Sequence, residues 1–255
     1  VLYPLAARQQ KTPLTWADQR AFLLIGFVGY FISVGLQFIG TRLSSAHNGA
    51  IITSASPAFI LLFAWLMLGE RLTKRKLFSV LLATVGVIIV VGWDTGADGG
   101  GSALAGNLAL IGAAVTWALL SVMARKFSAG RSPLVITAGA VFWAAIMTTP
   151  VMFVEWRFLP VHGLDNPLLW GAVLYLGVVA TAGAFYFWNK GLSLVEAGTG
   201  SVFFFLQPVV GALLGWLVLG EQLTPSFFTG GGVILLAVLI ASLPSPSRYS
   251  SSASK

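Results

Sequence analysis

The chain has 255 residues, of which 57% are hydrophobic and 9% charged, with a mean hydropathy of +0.88, far outside the usual range of soluble domains. There are no cysteines, which excludes disulfides, thiolate metal sites and cysteine nucleophiles together. The net charge of +7 and pI near 10.1 could suggest a nucleic-acid partner, but the placement of the fifteen basic residues argues for a lipid bilayer instead.

Eight stretches contain no Asp, Glu, Lys, Arg or His and are long enough to cross about 30 Å of hydrocarbon: 21–40, 50–68, 77–93, 103–124, 133–154, 168–189, 197–219 and 225–243. In lipid a continuous apolar segment must satisfy its own backbone, so each is expected to be a helix. The runs lack the ten-residue alternation of a membrane barrel. Thirteen basic residues fall on one side if the spans alternate: Arg8, Lys11, Arg20, Arg71, Lys74, Arg75, Lys76, Arg125, Lys126, Arg131, Lys190, Arg248 and Lys255. Arg42 and Arg157 fall on the other. By the positive-inside rule the richer side is cytoplasmic, and the C-terminus lies there.

Taken in order, residues 1–20 read as the tail of an earlier apolar helix followed by a cytoplasmic linker, with no signal-peptide layout. Span 21–40 carries Tyr30 near its middle and Gln37 toward its far end, and 41–49 is expected to be a short far-side loop containing His47. Span 50–68 has Thr53, Ser54 and Ser56 just before Pro57, which should kink the helix near mid-membrane. Thr73 is placed to cap the helix that follows. Residues 94–102, D-T-G-A-D-G-G-G-S, read as a flexible far-side linker. Span 103–124 places Trp117 and Ser121 one turn apart on one face. Span 133–154 has Pro150 near its end, and His162 follows in a far-side loop. Span 168–189 ends in Tyr186, Phe187, Trp188 and Asn189 near the cytoplasmic interface, with Lys190 as a snorkelling anchor. Span 197–219 holds Phe203 to Phe205, Gln207 and Pro208, and a G-x-x-x-G at Gly211 and Gly215 suited to close helix approach. Residues 244–255 read as a disordered cytoplasmic tail.

One segment occurs twice. Residues 40–73, G-T-R-L-S-S-A-H-N-G-A-I-I-T-S-A-S-P-A-F-I-L-L-F-A-W-L-M-L-G-E-R-L-T, align without a gap on 191–224 at an offset of 151. The offset pairs Gly40 with Gly191, Pro57 with Pro208, Trp65 with Trp216, and L-G-E-R-L-T with L-G-E-Q-L-T. Shared apolar composition would match leucines and alanines, but not a proline followed at a fixed distance by L-G-E-x-L-T, so the segment is read as a duplication. The same offset puts the partners of spans 103–124 and 133–154 before Val1, so the intact design is expected to be five plus five helices, with two upstream. Five crossings separate the two proline segments, so the copies run in opposite directions. That is the inverted-repeat arrangement of secondary transporters.

A proline-centred helix ending in L-G-E-x-L-T, present in both halves of a ten-helix inverted repeat, resembles the drug/metabolite transporter superfamily and within it the EamA type. The resemblance covers the chain apart from its tail. It implies an all-α integral membrane protein with a first repeat over 1–93, lacking its first two helices, a linker over 94–102 and a second repeat over 103–243. It also implies a secondary transporter of small metabolites, often an exporter of amino acids or related compounds, with a central cavity between the halves. No cofactor, metal or catalytic residue is implied.

The absence of buried charge bears on the substrate. Ion coupling and multiply charged solutes ordinarily require an ionisable residue at depth. None of the eight spans has one, which favours a neutral or zwitterionic solute. The expected solute-binding residues are Tyr30, Gln37, Thr53, Ser56, Trp117, Ser121, Tyr186, Asn189, Phe204 and Gln207. Several have a plainer reading: Thr53 and Ser56 can bond back to their own helix, Gln207 can satisfy carbonyls freed by the proline, and the aromatics can be packing. Pro57 and Pro208 read either as hinges or as fixed kinks. For Glu70 and Glu221, just outside their spans, a helix-end or neighbouring-loop contact is favoured over a coupling acid. Three rival functions stand beside this one. An anionic-metabolite or nucleotide-sugar exchanger would use Lys190. An intramembrane enzyme would need a reactive set at depth, and the sequence offers no H-E-x-x-H, paired aspartate or serine with a buried base. A channel would need a pore loop or charged ring. The plasma or inner membrane is the expected location, and the oligomeric state is left open.

Overall fold

The computed structural model describes residues 2–9, 13–44, 46–91, 100–128, 130–158, 165–220 and 225–243, and among these all regular structure is helical. The expectations for Glu221, His162, most of the 94–102 linker and the 244–255 tail lie outside the described residues, as do the side chain of His47 and the surroundings of Gly211 and Gly215. Among the described residues, five helices are long and apolar enough to cross a membrane: 16–43, 102–128, 133–158, 167–194 and 225–242. Two shorter apolar helices cover 56–68 and 197–210. The chain divides into two compact units, 1–71 with 94–201, and 72–93 with 202–255.

In the first unit, α1 is Leu2–Gln9 and α2 is Trp16–Leu43, widened into a π-helical stretch over Gly26–Ser33. Helix α2 starts earlier than the apolar run because Thr15 and Asp18 form a capping box, satisfying two end donors reciprocally. Arg131 clamps the same Asp18 through Nε at 3.0 Å and Nη2 at 2.6 Å. The loop expected over 41–49 shrinks to a brief break, since α3 begins at once as Ala46–Thr53.

The single kinked span expected over 50–68 is instead two helices, α3 and α4 (Ser56–Leu68), separated by a turn at Ser54 and Ala55. Pro57 stands in the first turn of α4. There its missing N–H costs nothing and its fixed φ suits helix entry, so it starts a helix rather than bending one. Gly69 then ends α4 at φ 67°, a conformation costly for a residue with a Cβ, and the Glu70 N–H closes back on the Ala64 carbonyl at 3.2 Å.

Helices α6 (Gly100–Ser128) and α7 (Pro133–Phe158) complete the frame with α8, Pro167–Leu194, which has its own π-helical stretch over Tyr175–Gly183. Pro150 lies inside α7. Small residues set how closely the helices meet: a Cβ on Gly40 would come within 2.9 Å of the Gly106 carbonyl oxygen, and one on Gly26 within 2.4 Å of that of Ala140. The buried core includes Phe22, Ile25, Tyr30, Leu120 and Ile136. The unit's chain ends with α9, Ala197–Ser201.

The second unit holds α5 (Lys74–Val91), a 3₁₀ turn over Val202–Phe205, α10 (Leu206–Leu214) continuing as π turns over Gly215–Leu219, and α11 (Pro225–Ser242). Thr73 caps α5 by accepting from the Lys76 N–H at 3.2 Å, as its position predicts. Helices α5 and α11 press backbone to backbone at Gly86 and Gly230, where a Cβ on Gly230 would meet the Gly86 carbonyl oxygen at 2.6 Å. Pro208 stands near the start of α10, directly after the 3₁₀ turn and within the apolar helical segment 197–210.

Candidate functional site

Several of the polar and aromatic residues expected in charge-free spans converge inside the first unit. Tyr30 lies in the π stretch of α2, Trp117 and Ser121 on α6, Thr137 four residues into α7, and Asn189 five residues before the end of α8. Asn189 is 1% exposed and is held from two sides. Its Nδ2 donates to Tyr30 Oη at 2.9 Å and to Thr137 Oγ1 at 2.8 Å. Thr137 Oγ1 in turn donates to the Pro133 carbonyl at 2.7 Å.

Phe185, one turn before Asn189, stacks on Tyr30 with centroids 4.5 Å apart and planes 16° from parallel. Trp117 leans on Phe185 at 5.5 Å and on Trp188 at 6.4 Å. Ser121 donates to the Trp117 carbonyl at 2.9 Å and accepts from Trp188 Nε1 at 3.1 Å. The result is a buried constellation of one phenol, one amide, two hydroxyls and stacked rings. It can bind and orient an uncharged or zwitterionic group, but it offers no general base of the kind hydrolysis requires.

The other expected site residues lie elsewhere. Gln37 is exposed on α2. Thr53 bonds back to the Gly49 carbonyl at 2.7 Å, the plainer of its two readings. Ser56 is buried where α4 begins. Tyr186 is half-buried beside Phe187, and the Lys190 ammonium lies 5.8 Å from its ring centre, as a snorkelling cation would. In the second unit Phe204 is half-buried within the 3₁₀ turn and Gln207 is exposed. An apolar cleft of about 660 Å³ in the first unit, lined by Leu2, Ala6, Phe22, Val141 and Phe142 among others, contains none of the expected site residues.

Two participants were missed from sequence. Thr137 gave one faint signal, a hydroxyl one turn after Pro133 at the head of an apolar span, and Phe185 gave none beyond its aromaticity. The glutamate of the repeated motif makes the helix-end contact its position suggests. Glu70 accepts from the backbone N–H groups of Ala197 at 2.7 Å and Gly198 at 3.0 Å, at the start of α9. Arg125 Nε lies 3.4 Å from the same carboxylate, while Arg125 Nη1 donates to the Leu192 carbonyl.

Comparison with known proteins places these helices in a family. The model of the EamA-like transporter family matches residues 1–92 and 104–243. The Uncharacterized transporter YetK of Bacillus subtilis (strain 168) is 28% identical over 228 residues, covering 89% of this chain and 69% of the relative. The Uncharacterized transporter YyaM of the same organism is 27% identical over 226 residues, covering 87% and 72%. A solved crystal structure superposes with a TM-score of 0.77 over 95% of this chain and 83% of its own, at 21% identity, which speaks to the fold alone. The relatives and the family are transporters and not enzymes, and the chain belongs to the EamA-like transporter family of the drug/metabolite transporter superfamily.

Proposed function

We propose that this transporter exports a small neutral or zwitterionic metabolite, such as an amino acid, by alternating access between two inverted repeats, and that Tyr30, Trp117, Ser121 and Asn189 form part of its solute site. The observation that carries this reading is the Asn189–Tyr30–Thr137 constellation: a fully buried, hydrogen-bonded amide walled by stacked rings, with no Asp, Glu, Lys, Arg or His in it. Buried polarity is expensive in an apolar protein and marks a functional position by default. The Lys190 ammonium is exposed, which leaves the anion-exchanger alternative without a buried cation in this cluster.

The repeat reading, with first and second repeats over 1–93 and 103–243, is supported by elements that recur at the offset of 151. Helices start at Trp16 and Pro167, π stretches cover Gly26–Ser33 and Tyr175–Gly183, and left-handed glycines stand at Gly69 and Gly220. The last helices, Lys74–Val91 and Pro225–Ser242, correspond end to end. On this reading the chain makes eight crossings of a plasma or inner membrane with its C-terminus in the cytoplasm. A reporter active only in the cytoplasm, fused after Lys255, should be active, and the same reporter inserted at Asp98 should be silent.

The function is tested by expressing the transporter and an Asn189→Leu variant at equal membrane levels, and measuring amino acids and nucleosides in cells and medium. Export predicts that one solute moves to the medium with the wild type and not with the variant. Unchanged solutes with protein confirmed in the membrane would refute amino-acid and nucleoside export.

A further inference from the structure

A side-chain amide presents two N–H donors at one end and a carbonyl acceptor at the other, and the two ends are nearly identical in shape. Which end of Asn189 faces which neighbour is settled by proton bookkeeping. The Pro133 carbonyl can only accept, so the Thr137 hydroxyl, 2.7 Å away, spends its single proton there. Toward Asn189 the Thr137 oxygen is therefore an acceptor, and the amide atom 2.8 Å from it must be Nδ2. The second Nδ2 proton goes to Tyr30 Oη at 2.9 Å. Both donors are spent. The remaining atom, Asn189 Oδ1, is buried and accepts no hydrogen bond among the described residues. The large majority of buried side-chain polar atoms find a partner, so this one is set apart for a group the protein does not itself supply.

We propose that Asn189 Oδ1 receives an N–H or O–H donor of the transported solute, and that Thr137 is the positioning residue that makes the site select donors over acceptors. The inference rests on reading this cluster as the solute site, and goes further by naming the chemistry it recognises. A solute presenting only a carbonyl or ether oxygen there would set lone pair against lone pair. The Phe185 ring stacked on Tyr30, with Trp117 behind it, supplies an apolar wall for the rest of the molecule. The polarity is reversible in principle. Without the Thr137 hydroxyl the amide can turn, so that Oδ1 accepts from the Tyr30 hydroxyl and Nδ2 faces the solute.

The test uses the purified transporter in lipid nanodiscs and matched pairs of small solutes: amino acids, primary amines, alcohols and nucleosides, each beside its N- or O-permethylated counterpart. Binding is read by isothermal titration and by thermal stabilisation. The wild type should prefer the donor-bearing member of at least one pair by about tenfold or more, the loss expected when a buried acceptor is left unmatched. Thr137→Val, nearly isosteric, should abolish or reverse that preference, and Thr137→Ser, which restores the hydroxyl, should recover it.

Equal binding of both members of every pair that binds would overturn the proposal, as would a preference unchanged by Thr137→Val. The wild-type comparison decides the matter even if a variant folds poorly. If the preference is absent while solute export persists, only this assignment falls. If no solute in the panel binds or moves, the solute-site reading falls with it.

Discussion

Replacing Glu70 by Ala removes the carboxylate that holds the first turn of α9. Gly69, in the left-handed conformation, turns the chain at the end of α4 so that Glu70 reaches two backbone N–H groups at 2.7 and 3.0 Å. Hydrogen bonds to a charged acceptor contribute about 1.5–3 kcal/mol each, so the pair is worth ~3–6 kcal/mol if nothing replaces it. The Glu70 side chain is 10% exposed and that of Arg125 23%, so water partly compensates, and the lower end, ~3 kcal/mol, is the figure to expect. Arg125 keeps its bond to the Leu192 carbonyl, so its charge is not stranded. The loss should be local, in the opening of α9, and amide hydrogen exchange reads it directly. At about 1.4 kcal/mol per factor of ten, exchange at Ala197 and Gly198 should accelerate ~150-fold in Glu70→Ala. Glu70→Gln, which keeps one acceptor, should give about tenfold. Exchange at these amides unchanged within about threefold in Glu70→Ala would refute the reading of this glutamate as a helix clasp.

Three further outcomes follow from the same geometry. Gly69→Ala and Gly220→Ala, at φ 67° and 69° with nothing near the added methyl, should each cost ~1 kcal/mol of stability through backbone conformation alone, measurable by denaturant unfolding in detergent. Gly106→Ala, whose Cβ would sit 2.7 Å from the Ser44 backbone nitrogen, should cost about 1–3 kcal/mol by overpacking, while Gly35→Ala, inside α2 with open space around it, should stabilise by about 0.5–1 kcal/mol. Thr53→Val should leave export within about twofold of wild type, because the hydroxyl is engaged by its own helix at the Gly49 carbonyl; a larger loss would place Thr53 in the solute path.

The helical character of the molecule was legible because long charge-free runs, without the alternation of a barrel, leave the helix as the way to satisfy the backbone in lipid. The behaviour of the prolines was not. Proline is compatible both with a mid-helix kink and with the first turn of a new helix, and the residues before Pro57 do not choose between them. The structure takes the second, ending α3 at Thr53. Helix rotation was equally hidden. Gln37 and Gln207 stand in apolar runs, and a segment apolar around its whole circumference does not say which face is inward; in the structure both are exposed.

Thr53 and Thr137 show most sharply what sequence withholds. Both are threonines in apolar helices, and both donate to the carbonyl four residues back at 2.7 Å. From sequence that bond reads as self-satisfaction and argues against function. At Thr53 the hydroxyl has no second hydrogen-bond partner among the described residues. At Thr137 the same bond uses up the proton and turns the oxygen into a fixed acceptor, and Asn189, fifty-two residues away, takes its orientation from it. The back-bond that makes a membrane threonine look inert is therefore what allows one to set the polarity of a neighbour. The distinguishing mark is a second partner on another helix, which only the packing of α7 against α8 supplies.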